Sequence, residues 1–219
     1  MSINGIMACC KNKGIGKENK LPWNLKEDLN RFKKLTTGNG NNCIIMGRKT
    51  WDSINFLKGR DHLILSKNIN VEYKNGNNII KSFSTINEVI KYVNERKYEQ
   101  SWVIGGENIL KQFLELNLID RLHLTFINEY YDCDVFLPKI PSNYFSTQNQ
   151  LLSETSESGK EVFLIIFHRA KIGMKVKYNY NIWTIVMLHF EDYPNIYFTI
   201  KDNQGNEKQT VKEKITLIL

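Results

Sequence analysis

Residues 43–50 read Cys-Ile-Ile-Met-Gly-Arg-Lys-Thr, and they give the clearest indication of the architecture. Its first half is a compact apolar run, typical of a strand buried on both faces, and its second half is a glycine with basic residues behind it. The same order returns at His62–Leu65, followed by Ser66-Lys67, and at Trp102–Ile104, followed by Gly105-Gly106. We therefore expect three buried strands that each end in a polar turn.

Helical patterns alternate with these strands along the first 170 residues. Apolar residues recur at helical spacing in Leu25–Leu35, Ile86–Asn94 and Glu107–Leu116. Asn24 stands where its side chain can cap the first of these helices. With a further apolar run at Ile3–Cys9, the alternation predicts an α/β sheet that is largely parallel at first.

The last two strands of this region are of another kind. Arg121–Asn128 and Glu161–Arg169 have no helix between them, only the irregular segment Tyr130–Ser158. Strands joined without a crossover helix pair antiparallel, so we expect these two at the edge of the sheet. This edge closes a first domain, residues 1–170.

Residues 171–219 show only strand and turn signals, which predict a small all-β module of SH3-like size. Its aromatic residues allow two interpretations: they form the core of the module, or they form a recognition surface for a partner that the sequence does not name. The expected strands are Met174–Tyr178, Ile182–Phe190, Ile196–Lys201 and Glu207–Val211, and the aromatic residues are Trp183, Tyr193, Tyr197 and Phe198.

The composition limits the function classes. The chain has 219 residues and a net charge of +7, which is spread evenly as +5 over residues 1–170 and +2 over residues 171–219. No basic block marks a nucleic-acid site. The four cysteines match no metal-ligand spacing, so we expect reduced thiols, no metal site and a cytoplasmic location. No apolar stretch is long enough to predict a membrane span.

Asp28 is the most informative single residue. On a helical projection it lies inside the apolar stripe of the first helix, whereas Glu27 and Asn30 point away. An acid near a helix start can simply stabilise the helix dipole. A buried carboxylate also needs a hydrogen-bonding partner, because leaving it unpaired costs several kcal/mol, and a ligand is one such partner.

The three polar turns suggest a cofactor site. Turns after parallel strands meet at one sheet edge, where glycines and helix N-termini favour phosphate groups. No acid stands where it would hold a ribose 2′-hydroxyl, and the cationic and hydroxyl groups that are present suit a 2′-phosphate. These groups are Arg48, Lys49, Ser66 and Lys67, and they predict an NADP-type cofactor although the usual GxGxxG fingerprint is absent.

The ordered motifs resemble those of the dihydrofolate reductase family across residues 2–169. They stand in the family's order and close to its spacing. The matching pieces are Ile15-Gly16 with Asn19, Leu21-Pro22-Trp23-Asn24-Leu25 with Asp28 and Phe32, the run 45–54, Gly59-Arg60, Leu65-Ser66, Val103-Ile104-Gly105-Gly106, Leu124-Thr125 and the run 133–138.

The resemblance implies a three-layer α/β/α fold with a mixed, mostly parallel sheet and an antiparallel edge. It implies reduction of 7,8-dihydrofolate to tetrahydrofolate with NADPH as cofactor, antifolate binding, and a role in one-carbon metabolism and thymidylate synthesis. Asp28 would meet the 2-amino and N3 hydrogens of the pterin and help to protonate N5 through water near Trp23. The implied catalytic residues are Asp28, Trp23, Thr125 and Leu21.

The resemblance also implies two binding sets. Arg60 would grip the substrate's α-carboxylate, Thr125 would hydrogen-bond Asp28, and Gly105-Gly106 would form a cis peptide. Residues 14–21 would form a loop that closes over the nicotinamide. The substrate set is Ile6, Ala8, Asp28, Leu29, Phe32, Ile54, Leu57, Arg60 and Thr125. The cofactor set is Ala8, Ile15, Gly16, Asn19, Gly47, Arg48, Lys49, Thr50, Leu65, Ser66, Lys67, Ile104, Gly105, Gly106, Glu107, Asn108 and Ile109.

Two residues depart from the family pattern, and two other functions stay open. Leu110 stands where many members have a tyrosine, and Glu107 replaces a small residue, which puts nearby cofactor contacts in doubt. One alternative is a pyrimidine reductase of riboflavin synthesis, which the combination of Trp23 and Asp28 disfavours. The other is a catalytically weak reductase fold that acts as a binding protein through its C-terminal module.

Overall fold

A computed structural model of the chain describes residues 2–153, 161–190 and 196–219, with the backbone alone for residues 147–153. The strands, in chain order, are β1 (Ser2–Cys10), β2 (Gly14–Gly16), β3 (Asn42–Gly47), β4 (Asp61–Leu65), β5 (Glu72–Asn75), β6 (Asn78–Phe83), β7 (Gln100–Gly105), β8 (Arg121–Ile127), β9 (Val135–Phe136), β10 (Tyr144–Ser153), β11 (Val162–Arg169), β12 (Lys175–Tyr178), β13 (Asn181–His189), β14 (Tyr197–Lys201), β15 (Glu207–Val211) and β16 (Thr216–Ile218). The α-helices in these ranges are α1 (Lys26–Thr37), α2 (Arg48–Ser53), α3 (Ile86–Arg96) and α4 (Glu107–Glu115).

A nine-stranded sheet forms the main body, in the order β10-β11-β8-β1-β7-β3-β4-β6-β5. The six strands from β8 to β6 run parallel to one another. β11, β10 and β5 are antiparallel to their neighbours. The prediction of a mixed, mostly parallel sheet with an antiparallel edge is therefore confirmed.

Helices cover both faces of this sheet, which gives the expected three layers. Ile44 and Met46 of β3 pack with side chains of α1 and α2, and Cys43 and Ile45 pack with side chains of α3 and α4. All four β3 side chains are fully buried, as the unbroken apolar run of this strand requires. Within the described ranges, no helix combines the length and hydropathy needed to cross a bilayer.

The start of α1 differs from the expectation. The N-cap residue is Leu25, with no side-chain hydrogen bond, so the prediction that Asn24 caps this helix is wrong. Leu25 and Trp23 are both buried in one apolar cluster. Packing of these two side chains on the sheet fixes where the helix begins, and this outweighs a cap that typically contributes about 1 kcal/mol.

The sheet edges also differ from the expectation. The segment predicted to be irregular, Tyr130–Ser158, contains β9 and β10, and β10 rather than β11 is the outermost strand on that side. The other edge is a β5–β6 hairpin, and every β5 residue is exposed. Edge strands with a solvated face lack a continuous apolar run, so the apolar pattern that found the central strands did not reveal them.

The C-terminal residues form a five-stranded antiparallel sheet in the order β15-β14-β13-β12-β16. Four of its strands coincide with predicted segments, and β16 was not predicted. Phe198 is fully buried with Val176, Ile185 and Ile200, so this aromatic residue belongs to the core of the module. Trp183 packs against this core, and Tyr193 lies outside the described residues.

The module is packed against the main body at the beginning of β10. Phe145 is 5% exposed, belongs to the core cluster of the module and contacts Phe198, with ring centroids 5.5 Å apart. Lys212 Nζ donates to the carbonyl oxygen of Tyr144 and lies over the Phe145 ring. The domain boundary near residue 170 stays a prediction, because Phe145 precedes it and still contributes to the core of the module.

Replacing Phe145 by alanine tests this junction. We expect the free energy of unfolding to fall by about 3 kcal/mol, the usual loss for truncating a buried phenylalanine. The measurement is urea unfolding of the full chain. Phe190→Ala is the matched control, since Phe190 is 41% exposed and should cost much less. Equal losses in the two variants would show that Phe145 does not join the module to the body.

Candidate active site

A threonine of the sheet forms a hydrogen bond to Asp28, the acid in the apolar stripe of α1. Thr125 Oγ1 on β8 donates to Asp28 Oδ1 on α1 at 2.5 Å. Thr125 is fully buried and is paired in register with Ala8 of β1. Asp28, Thr125 and Ala8 therefore lie at one place, on the face of the sheet that α1 covers.

The ionisation of Asp28 is perturbed by this environment. Burial raises the pKa of the Asp28 carboxyl group above its ordinary value, and this is the largest effect. The hydrogen bond from Thr125 and the positive charge of Arg31 act in the opposite direction and lower it in part. The carboxyl group consequently keeps its proton to a higher pH than a solvated aspartate, which is the direction that proton supply near neutral pH requires.

Trp23 packs against the C-terminal end of β1 and is 8% exposed. It packs with Cys10, Ala8 and Ile127 and meets Tyr131 edge to face, with ring centroids 5.3 Å apart. Its indole Nε1 is buried and has no hydrogen-bond partner among the described residues. A buried indole N–H without a partner fits a site in which a ligand or a water molecule accepts that hydrogen.

Apolar residues of the substrate set form a wall next to Asp28. Ile6, Phe32, Ile54 and Leu57 belong to one cluster, and Ile6 is the most buried of these four. Leu29 is 46% exposed, so the stripe of α1 is not buried along its whole length as the helical projection suggested. The part of the stripe near Leu29 is therefore open to solvent, and a ligand could cover it.

Arg60 is charged and yet only 3% exposed. Its Nη1 donates to Thr36 Oγ1 at 2.5 Å, to Thr37 Oγ1 at 2.9 Å and to the carbonyl oxygen of Lys33 at 3.3 Å. The guanidinium group also stacks over the Phe32 ring. Its Nε is buried without a partner among the described residues, so Arg60 is held rigidly and retains a donor for a carboxylate.

The three polar turns meet at one edge of the sheet, as their order along the chain implies. Gly47 is paired with Leu65, and Met46 is paired with Gly105. The peptide bond between Gly105 and Gly106 is cis, which the family resemblance implied. The Ser66 turn follows Leu65 directly and therefore lies beside the turn of Gly47.

Glycines at this edge make room for a ligand and for close contact between segments. A Cβ at Gly47 would lie 3.0 Å from Ile109 Cγ1, and one at Gly106 would lie 3.4 Å from Thr50 Oγ1. Gly106 is also the N-cap of α4, where no side chain caps the helix. A glycine-lined turn with backbone N–H groups at a helix start suits a phosphate or an amide, so these residues fit a dinucleotide.

The basic side chains of the edge are exposed. Arg48 forms an ion pair with Asp52 at 3.2 Å, one helical turn along α2. Ser66 Oγ accepts a hydrogen bond from the backbone N–H of Asn68 at 3.2 Å. Lys49, Lys67, Glu107 and Asn108 are exposed as well. An exposed ion pair of this kind is weak, so Arg48 can turn to a phosphate at little cost.

The structure shows where Leu110, which stands in place of the tyrosine of many family members, lies in this chain. Leu110 is fully buried in the core, near Gly5, and does not lie at the surface of the edge. Ile104 is half-buried on the opposite face of the sheet, with Ile6 and Trp102. A leucine in place of the tyrosine therefore fills core volume under the cofactor edge.

Residues 14–21 form a short hairpin that is tied to a second segment. Lys17 and Lys20 pair through two backbone hydrogen bonds, with Glu18 and Asn19 at positive φ in the turn. β2 pairs with β9, and Asp134 Oδ2 accepts from the backbone N–H of Glu18. Ile15 is buried against Cys9 and Leu124, so only its main chain faces the site, whereas Asn19 and Leu21 are exposed.

The sequence comparisons agree with this geometry. A family model described as dihydrofolate reductase matches residues 2–169. The chain belongs to the dihydrofolate reductase family.

Three curated relatives illustrate the match. The bifunctional dihydrofolate reductase-thymidylate synthase of Paramecium tetraurelia is 38% identical over 158 residues, which are 70% of this chain and 32% of that protein. The dihydrofolate reductase of Heliothis virescens is 34% identical over 154 residues, 66% of this chain and 83% of that protein. The dihydrofolate reductase of Pneumocystis carinii is 33% identical over 152 residues, 63% and 74% respectively. The chain thus spans about a third of the bifunctional relative and most of the other two.

Two histidines of this dihydrofolate reductase family member were not predicted as part of the site. His62 stacks on Phe56 and accepts a hydrogen bond from the backbone N–H of Leu57, so it supports the 54–57 wall. His123 is hydrogen-bonded to Arg31 behind Asp28. Strand alternation could have revealed His123, because it lies two residues before Thr125 and therefore on the same face of β8.

Thr125→Val tests the hydrogen bond to Asp28. The variant keeps the shape of the side chain and removes the donor, so the Asp28 carboxyl group should titrate at a higher pH than in the parent, and stability should fall by about 1 to 3 kcal/mol. Carboxyl ¹³C NMR and urea unfolding measure the two effects. Thr210→Val is the control, because Thr210 is buried and its Oγ1 has no partner among the described residues. An unchanged Asp28 titration in Thr125→Val would contradict this assignment.

Proposed function

We propose that this protein reduces 7,8-dihydrofolate to 5,6,7,8-tetrahydrofolate, using NADPH as the hydride donor. The observation that carries the proposal is the partly buried Asp28 carboxylate, which Thr125 holds beside an apolar wall close to the glycine-lined sheet edge. Membership of the dihydrofolate reductase family supports the same reaction. NADPH supplies a hydride when it is bound.

Asp28 binds and orients the pterin in this proposal. A pterin presents its 2-amino group and N3–H as two parallel donors, which a carboxylate accepts in a bidentate pair. The raised pKa of Asp28 lets the site take up a proton near neutral pH. Trp23 Nε1, which is buried and has no protein partner among the described residues, holds the water through which that proton reaches N5.

Arg60 and the apolar wall hold the remainder of the substrate. Arg60 keeps its Nε for the α-carboxylate of the substrate's glutamate, and its hydrogen bonds to Thr36 and Thr37 prevent it from turning away. Ile54 and Leu57 cover the benzoyl ring. Since antifolates share the two-donor pattern of the pterin, they should bind at the same carboxylate.

The sheet edge holds the cofactor. Gly47, Thr50, Gly105 and Gly106 would hold the cofactor at this edge, and closure of residues 14–21 would exclude water from the reacting carbons. Arg48, Lys49, Ser66 and Lys67 provide the charges and the hydroxyl group for a 2′-phosphate. The preference for NADPH over NADH follows from these four side chains.

The wider role follows from this reaction. Tetrahydrofolate supports one-carbon metabolism and thymidylate synthesis, and two activities are joined in the names of the bifunctional relatives. A cytoplasmic location stays a prediction, and so does a partner for residues 171–219. A pyrimidine reductase or a purely binding function would leave the pairing of Asp28 with Thr125 and the orientation of Arg60 unexplained.

Asp28→Asn should lower turnover of dihydrofolate with NADPH by at least about a hundredfold, the low end expected for loss of a general acid or base. The amide is of similar size, so the fold should be kept, and steady-state kinetics with circular dichroism measures both. Glu27→Gln is the control, because Glu27 is the neighbouring acid on α1 and points away from Thr125 in the helical projection. Near-parental turnover of Asp28→Asn at neutral pH would refute the assigned role.

Exchanging Arg48 and Lys67 together for glutamine should weaken NADPH about tenfold or more, with a smaller effect on NADH, because only NADPH carries the 2′-phosphate. Fluorescence titration with both cofactors measures the preference. Lys74→Gln combined with Lys91→Gln removes two exposed charges on β5 and α3 and should leave the preference unchanged. Equal losses for NADPH and NADH would assign the 2′-phosphate to other residues.

A further inference from the structure

A second pair of side chains joins α1 to β8 directly beside the pair of Asp28 and Thr125. Arg31 Nη2 is 3.0 Å from His123 Nδ1. Arg31 follows Asp28 by three residues on α1, and His123 precedes Thr125 by two residues on β8, so both pairs join the same faces of the same two elements. The two pairs thus form adjacent links between the helix and the strand.

The chemistry of this pair fixes the state of the histidine. A guanidinium group has donors only, so His123 Nδ1 must accept the hydrogen bond and the imidazole must be neutral. Burial together with the charges of Arg31, Arg121 and His168 lowers the pKa of His123 to about 4. The histidine is therefore a neutral acceptor over the whole physiological range.

The ring of His123 is held from its other side. Trp102 on β7 meets it edge to face, with ring centroids 5.2 Å apart, and Trp102 is 1% exposed. His123 itself is 9% exposed. Because the imidazole cannot turn freely between these contacts, it keeps the guanidinium group of Arg31 in one place.

Arg31 is charged and partly buried, and only some of its hydrogen-bond donors have partners. Its Nη1 is buried and has no hydrogen-bond partner among the described residues. Its charge acts on Asp28, one helical turn away, and opposes the effect of burial on that carboxyl group. A cation that burial disfavours is thus retained next to the acid that the proposed reaction uses.

We propose that Arg31 is a positioning residue which, held by His123, places a fixed positive charge beside Asp28 and so sets the pH range in which the reductase works. The inference rests on the proposed function, since it assigns the proton supply to Asp28.

Other groups face the pair from every packed element. β8 contributes Arg121, β11 contributes His168, and Arg60 lies over the ring of Phe32 of α1. Arg121 is exposed and is therefore better screened by solvent than Arg31. Burial lowers the pKa of His168, which favours its neutral form. Arg31 is consequently the cation whose removal should move the titration of Asp28 most.

The sign of the effect follows from the charge. Without the cation, the ionised form of Asp28 is less favoured and the carboxyl group keeps its proton to a higher pH. Reduction of dihydrofolate consumes a proton, so the rate declines as the pH rises above the titration of Asp28. Loss of Arg31 should move that decline to higher pH.

The test compares Arg31→Met with Arg31→Lys. Methionine keeps an unbranched stem without the charge, whereas lysine keeps the charge. In Arg31→Met, the ratio of the rate on the alkaline side to the rate on the acid plateau should exceed that of the parent by about threefold or more, which corresponds to half a pH unit. Arg31→Lys should remain closer to the parent. A purely structural role would lower the rate equally at all pH values and leave the midpoint in place.

A second readout does not depend on activity. The Asp28 carboxyl resonance, assigned in ¹³C spectra by its loss in Asp28→Asn, should titrate at a higher pH in Arg31→Met and also in His123→Phe, which cannot hold the guanidinium group. His123→Gln keeps an acceptor and should restore the parental titration. If the parent does not reduce dihydrofolate, the proposed function fails, and this titration still decides the role of Arg31. Unchanged Asp28 titration in both Arg31→Met and His123→Phe would overturn the inference.

Discussion

The site depends on keeping one carboxylate inside an apolar wall. Removing an ionised carboxylate from water costs several kcal/mol unless hydrogen bonds and charges replace the solvent. Thr125 provides the hydrogen bond and Arg31 the charge, and both opposing effects still leave the pKa of Asp28 above that of a solvated acid. The position of α1 on the face of the sheet is therefore constrained by chemistry as well as by packing, since a shift of one turn would separate the acid from its threonine.

The second constraint is the parallel sheet. Because β3, β4 and β7 run in one direction, their three turns reach the same edge, and Ile109 of α4 comes within 3.0 Å of where a Cβ at Gly47 would lie. The proposed substrate wall and the proposed cofactor edge are consequently built from opposite features of the same strands: apolar side chains along their length and bare backbone at their ends. β3 supplies both, with Met46 in the wall cluster and Gly47 in the turn.

The sequence predicted the central strands and the three longer helices, because each has an apolar pattern that tertiary packing preserves. It also predicted the grouping of the turns, because turns after parallel strands meet at one edge. It did not predict β10 or the β5–β6 hairpin, because edge strands have solvated faces and no continuous apolar run. Within the site, Asp28 could be recognised as an acid in an apolar stripe. Its hydrogen bond to Thr125 was implied only by the family resemblance. Strand alternation could have placed His123 on the face of Thr125, but its contact with Arg31 was missed because polar residues on a helix and a strand give no local sign that they face each other.

The C-terminal module has a physical consequence for the main body. β10 is the outermost strand of the nine-stranded sheet, and an unpaired strand edge is a template for association with other chains. Lys212 Nζ donates to the Tyr144 carbonyl oxygen at the start of β10, and Phe145 is buried in the core of the module. Ile196 N also donates to Ser142 Oγ, just before the strand. The module therefore occupies backbone and side-chain groups at the beginning of this edge, so that the edge and the module stabilise each other through one shared aromatic residue.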